Sequence, residues 1–191
     1  NINGVGIANS WVKNLTRGTS YEKMNEQAEK IAVGAEGLKI FPFGNGAERM
    51  FQNKTLNAQL CDVQFNVHKD AHVFRAVQEG IAFAFKYGLD IIQENNLDVK
   101  VIKAAHANMF LSPLFAKTFV NTLSVPVELY PVDGSVGAAL AAGLGIGIFK
   151  DEAEALGGTP PIQTIEPEKD NAALLACYQE WKEKLNQFLS S

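Results

Sequence analysis

Apolar residues recur every three or four positions at Val73, Val77, Ile81, Phe85, Leu89 and Ile92, which predicts a long helix from Ala71 to about Glu94 with Asp70 as its cap. A second stripe, Leu111, Phe115, Phe119 and Leu123, predicts another helix, where Ser112 suits the N-cap and Pro113 the first helical position. Before it, Val99, Val101 and Ile102 carry a strand signal that runs into the small-residue turn Ala104-Ala105-His106-Ala107-Asn108. After it, Pro126-Val127 opens a further strand, Asp133-Gly134-Ser135 reads as a turn plus N-cap, and a Gly- and Ala-rich helix follows over Val136 to Ala142.

The amino-terminal third is less regular. Asn1 to Ala8 reads as a short strand or turn leading into a helix near Asn9 to Thr16. Thr19 and Glu22 have capping-box spacing for a helix from Tyr21 to about Val33, with Met24, Ala28 and Ile31 on one face and Gly34 and Gly37 ending it. LKIFPF reads as a strand with Pro42 near its end, GNGAER as a turn, and Gln59 to Val67 as an alternating strand. Beyond Gly157 to Pro161, read as a linker, a charged helix from Glu168 to Leu189 carries Leu174, Cys177, Trp181, Leu185 and Phe188 on one face. It reads as an appendage docked on the domain. Helices alternating with strands in this order predict an α/β domain with a mixed sheet covered by helices on both faces.

Composition narrows the chemistry. In 191 residues, 47% hydrophobic, the 17 basic and 21 acidic side chains give a net charge of -4, which offers no broad field for nucleic acid or an anionic membrane. Cys61 and Cys177 stand far apart with no CxxC, arguing against a disulfide framework or structural zinc and for a reducing cytoplasm. The longest apolar run, Val136 to Phe149, is too short and glycine-rich to span a bilayer, and the amino terminus lacks the basic region of a signal peptide. The chain opens on Asn1 rather than methionine and reads as a piece of a longer protein.

Few residues carry a chemical signal of their own. His68 and His72 have metal-pair spacing without a third ligand in a suitable motif, so they read as surface or capping residues. Arg75 and Glu79 are placed for a local ion pair. Gly143, Gly145 and Gly147 end a helix where a dinucleotide fingerprint would begin one. Gly4 and Gly6 read as preceding the first helix, an ordinary strand-to-helix turn on these residues alone. The AAHAN turn presents backbone N–H groups with little side-chain bulk, which suits a nucleotide lying close to the chain.

Four segments taken in order, FPFGNGAERM (Phe41 to Met50), FRAVQEGIAFAF (Phe74 to Phe85), the turn Ala104 to Asn108 with Pro126-Val127, and Gly137 to Ala139, resemble the carboxyl-terminal half of the FGGY-type carbohydrate kinases. Within that family AHANMFLSP is most similar to one branch of the xylulokinases. The resemblance implies an actin-like ATPase, ribonuclease H-like fold, with residues 1–156 as the nucleotide-side kinase domain and 157–191 as linker and docked helix. It implies ATP and Mg2+ as cofactors and D-xylulose as the sugar phosphorylated to D-xylulose 5-phosphate, with other sugars or polyols and a non-catalytic actin-like binding module as alternatives. The implied partners are the amino-terminal kinase domain of the same protein and the sugar, with a homodimer left open. On this pattern the phosphate loop, the sugar-binding residues and the aspartate base lie in the other half, so the chain supplies no catalytic residue. Its implied nucleotide-binding residues are Gly6, Asn9 (with Ser10 as alternate), Ala105, His106 and Asn108. The family more often has successive glycines where this chain has Ala104 and Ala105, so the backbone or the nucleotide contact is expected to differ there.

Overall fold

The computed structural model describes residues 2–155, 157 and 160–190. Its elements in chain order begin with α1 (Val5–Leu15), α2 (Tyr21–Glu29), β1 (Lys39–Phe41), β2 (Ala47–Glu48), β3 (Lys54–Thr55) and β4 (Gln59–Cys61). The long helix α3 (Asp70–Glu94) and β5 (Ile102–Ala105) follow, then α4 (Pro113–Leu123), β6 (Val127–Tyr130) and α5 (Gly134–Gly145). The chain closes with α6 (Glu152–Ala155), β7 (Gln163–Ile165) and α7 (Ala172–Ser190). The linker read at Gly157 to Pro161 contains Gly158 and Thr159, and the boundary at residue 156 falls on Leu156; these three lie outside the described residues, as do Asn1 and Ser191.

Helix α3 organises the molecule. Val77, Ile81 and Leu89 of the expected stripe are buried, whereas Phe85 and Ile92 turn outward. From Phe74 to Ala84 the helix is buried on every side, because α1, α2, α4, α7 and β1 all pack on it. That burial takes in the Arg75–Glu79 pair, whose Nε and Oε1 are 2.6 Å apart. Glu79 Oε1 also accepts the Gly34 N–H at 3.1 Å, fixing the segment Gly34 to Gly37, in which four successive residues have positive φ. Burial pushes the Glu79 carboxyl above its ordinary range against the pull of Arg75 and that N–H. Gly80 lets β1 lie directly on the helix, since a Cβ there would stand 2.2 Å from the Ile40 carbonyl oxygen.

Parallel strands β5 and β6 pair with Ala105 opposite Tyr130, and β7 adds antiparallel to the other side of β6, making a mixed sheet in the order β5-β6-β7. Strands β1 and β4 pair antiparallel, as do β2 and β3. The predicted caps of α4 hold: Ser112 Oγ accepts the Phe115 N–H, and Phe115, Phe119 and Leu123 are buried while Leu111 is exposed. Asp133 caps α5 by accepting the N–H groups of Ser135 and Val136.

Other expectations are corrected. Helix α1 starts at Val5, so Gly6 lies inside its first turn rather than before it, and only Gly4 precedes the helix. Gly4 can press on β1 because it lacks a side chain; an added Cβ would meet the Pro42 carbonyl oxygen at 2.0 Å. Ser20, not Thr19, caps α2, which ends at Glu29 rather than near Val33. Strand β4 stops at Cys61, because Asp62 takes a positive φ of 62° and breaks the alternation read as far as Val67.

Helix α7 supplies a second core. Tyr178, Trp181 and Leu185 are wholly buried against Phe41, Phe43 and Phe83, with the Phe41 and Trp181 rings stacked at 4.8 Å. Trp181 Nε1 donates to the Ile40 carbonyl at 2.9 Å, on the strand that Gly80 admits to the helix. Asp90 of α3 accepts from Lys86, Tyr178 and Lys182, tying α7 down at its polar edge.

Candidate functional site

The parallel pair β5-β6 ends where chains of this α/β type place their ligands, beyond the carboxyl ends of the strands. The register Ala105 to Tyr130 brings two turns side by side there: His106 to Leu111, leading into α4, and Pro131 to Asp133, leading into α5. His106 N–H donates to the Tyr130 carbonyl at 2.8 Å, so its backbone still follows the strand while its side chain is exposed. Ala105 is half-buried at the strand end, and Asn108 is exposed at the start of a short 3-10 turn, Asn108–Leu111.

This geometry answers how alanines replace glycines in the turn. The one positive φ between Ala104 and Asn108, 52°, falls on Asn108, a residue type that tolerates the left-handed region. Ala107 is fully extended. The backbone therefore reverses through Asn108 and asks nothing unusual of the alanines.

The two candidates on α1 lie on a different element. Gly6 is exposed with open space where a Cβ would stand, and Asn9 is half-buried one turn later. No hydrogen bond among the described residues joins Gly6 or Asn9 to Ala105, His106 or Asn108; α1 packs on α3, and β5 pairs with β6. Among the described residues Asn9 Oδ1, like Gln78 Oε1 of α3, is buried without a hydrogen-bond partner, a costly condition for a polar atom.

The helix starts differ in what they leave open. Those of α4 and α5 are already capped by Ser112 and Asp133. Hydrogen bonds from Ser135 and Val136 hold the exposed Asp133 carboxyl below its usual range. The start of α1 has Gly4 as its cap, with no side-chain hydrogen bond and no acidic residue in the first turn. No side chain of its own first turn competes for its first N–H groups, although the Glu48 carboxylate lies on the Asn3 N–H just before the cap.

Sequence reasoning assigned no role to the GNGAER turn, and the structure supplies one. Glu48 is fully buried and accepts the Asn3 N–H at 3.0 and 3.2 Å, Asn3 Nδ2 donates to the Ala47 carbonyl, and Asn45 Nδ2 donates to the Asn3 carbonyl. The turn thereby fixes the approach to α1. Only the tertiary pairing reveals this, since the contacts span more than forty residues. The histidines fall where expected, His72 Nδ1 accepting the Lys69 N–H at the start of α3 and His68 Nδ1 accepting the Gln64 N–H. Among the described residues no group of three or more His, Cys, Asp or Glu is placed to hold a metal ion, and no helix is long and apolar enough to cross a membrane.

With fold and geometry in hand, the chain can be set beside known proteins. No protein-family model matches it. Its sequence is 30% identical over 190 residues to a glycerol kinase of Francisella tularensis subsp. holarctica, covering 96% of this chain and 37% of that protein. Its structure is similar to the ligand-bound xylulose kinase from Lactobacillus acidophilus, with a TM-score of 0.82, 19% identity, and 97% of this chain and 38% of that one covered. It is also similar to Plasmodium falciparum glycerol kinase with ADP, with a TM-score of 0.73, 19% identity, and 94% of this chain and 36% of that one covered. The fold is the actin-like α/β fold of these sugar kinases. The similarities support an FGGY-type carbohydrate kinase carboxyl-terminal domain, and they include both glycerol and xylulose kinases. The chain spans less than two fifths of the length of the relatives it matches.

Proposed function

We propose that this chain is the nucleotide-side, carboxyl-terminal half of an ATP-dependent carbohydrate kinase. The observation that carries the reading is its end-to-end likeness, in sequence and in fold, to just over a third of such kinases. Residues 1–156 are the nucleotide-side domain on this reading, and 157–191 join it through β7, which pairs with β6, and through α7.

ADP or ATP lies across the carboxyl ends of β5 and β6. Ala105 offers a surface with no bulk beyond its methyl group, while His106 and Asn108 reach the ribose or phosphates from the exposed turn. Gly6 and the uncapped start of α1 receive phosphate through backbone N–H groups, and Asn9 Oδ1, which can only accept, takes a hydrogen bond from a ligand hydroxyl on the α1 side. Magnesium, when bound, would be held mainly by the nucleotide phosphates and would neutralise their charge.

Phosphoryl transfer rests on positioning and charge stabilisation rather than on covalent chemistry by the protein. This half holds the donor, and the other half brings the sugar hydroxyl and its base. D-Xylulose is the first substrate, on the strength of AHANMFLSP and the xylulose kinase fold; glycerol is the second, favoured by the glycerol kinase relatives. Sugar-dependent ADP release by the longer polypeptide, assayed with D-xylulose and with glycerol beside the 191-residue chain, tests the reading. The longer polypeptide turns over with one of them and the isolated chain with neither; turnover by the isolated chain would overturn the division of labour.

A further inference from the structure

The dipeptide Asn-Gly occurs twice in this chain, at Asn3-Gly4 and at Asn45-Gly46, and a hydrogen bond joins the two copies. Asparagine followed by glycine is prone to close on itself, because no Cβ shields the glycine nitrogen from the side-chain amide carbon. The nitrogen must swing toward that carbon for the ring to form. The freedom of the local backbone therefore decides whether the reaction runs.

The structure treats the two copies in opposite ways. Gly4 is buried as the cap of α1, where an added Cβ would stand 2.0 Å from the Pro42 carbonyl oxygen. Asn3 N–H donates to both Glu48 oxygens at 3.0 and 3.2 Å, and Asn3 Nδ2 donates to the Ala47 carbonyl at 2.8 Å, so main chain and amide are both held. Asn45 and Gly46 instead lie exposed in the bend just before β2. Gly46 has a φ of 92° and open space where a Cβ would stand. The tie from Asn45 Nδ2 to the Asn3 carbonyl, at 3.1 Å, is open to solvent, and water replaces such a bond at little net cost.

We infer that Asn45 is a site of spontaneous deamidation, and that its conversion unties the GNGAER turn from the start of α1. The Gly46 nitrogen attacks Cγ of Asn45; a C–N bond forms, and the side-chain nitrogen leaves as ammonia, taking the Gly46 N–H proton. Water then opens the cyclic succinimide at either carbonyl and leaves aspartate or isoaspartate. The net change is amide plus water to acid plus ammonia, with nothing oxidised or reduced. The new carboxylate cannot donate to the Asn3 carbonyl, and it joins a network that already holds the buried Glu48 carboxylate. Isoaspartate also adds a methylene to the main chain three residues before Glu48. Neither step involves a nucleotide or a sugar, so the chemistry is independent of the kinase reading.

Ageing the chain in mildly alkaline buffer, folded and in denaturant, tests this by mass spectrometry of its peptides, with enzymatic methyl transfer to isoaspartate as a second probe. In the folded chain the Asn45 peptide gains the mass of an amide-to-acid change severalfold faster than the Asn3 peptide, and in denaturant the gap closes. Equal rates in the folded chain, faster conversion at Asn3, or a gap that persists in denaturant overturns the assignment. Amide exchange across Asn3 to Asn9 tests the release of α1. It speeds severalfold in the aged chain, and from the outset in Asn45→Asp. Asn45→Gln, whose longer side chain closes its ring far more slowly, keeps its starting exchange through the same incubation. Native exchange in Asn45→Asp overturns the release, as does loosening of Asn45→Gln on ageing, which assigns it to another residue.

Discussion

The surroundings of α7 and of α5 are opposites within one fold. Around α7, Trp181, Tyr178 and Leu185 are sealed among phenylalanines, the indole N–H has a carbonyl partner, and Asp90 accepts three hydrogen bonds. Helix α5 contains no charged residue, yet only Gly143 is buried, and Ile146 and Ile148 just beyond it are exposed. An uncharged helix is normally an interior one. The surroundings of α7 are therefore finished as a protein core, whereas α5 leaves an uncharged surface open.

Substitutions should report this contrast with different sizes and signs. Trp181→Ala removes a fully buried ring and its hydrogen bond, and is expected to cost about 3–5 kcal/mol in denaturant unfolding. A loss below 1 kcal/mol would mean that α7 is not part of the core. Gly80→Ala forces a methyl into the Ile40 carbonyl and should cost about 1–3 kcal/mol. Gly137→Ala, on α5 with open space around it, should instead stabilise the isolated chain by up to about 1 kcal/mol through helix propensity. Thermal melts of the two glycine variants should move in opposite directions.

A smaller effect concerns acid. Burial pushes the Asp90 carboxyl up, but hydrogen bonds from Lys182, Lys86 and Tyr178 outweigh it and hold the group below its ordinary range. A depressed carboxylate adds stability that is present above the unfolded value, about 3.9, and is lost as pH falls through the lower folded one. Unfolding midpoints of the native chain should decline across that acid window, and Asp90→Asn should flatten this part of the decline. The same decline in the variant would assign it to other carboxylates.

Much of this was legible in the sequence because the signals are local. Ser112-Pro113, Asp133 and the apolar spacing of α3 each act within a turn or two of helix; the structure keeps the first two, and of the α3 stripe it buries Val77, Ile81 and Leu89. The misread positions are those where a distant contact decides. Two glycines in Asn1 to Ala8 resemble a turn, yet the helix begins at Val5 because Gly4 is pressed on Pro42 and Asn3 is held by Glu48. The alternation from Gln59 to Val67 has strand period, but no partner strand extends past Cys61. Ala104 and Ala105, read as the start of a turn, are instead the last residues of β5, and the reversal falls on Asn108, because a positive φ leaves no period in the sequence.

The most direct test of the central claim is calorimetric titration of the longer polypeptide with magnesium ADP, with His106→Ala and Asn108→Gly alongside the native sequence. Asn108→Gly keeps the positive φ available, so any loss belongs to the side chain. Saturable binding weakened about tenfold by either change, the worth of roughly one good hydrogen bond, is the result expected for a nucleotide at the ends of β5 and β6. Binding of undiminished affinity in both variants would place the nucleotide elsewhere and contradict the account.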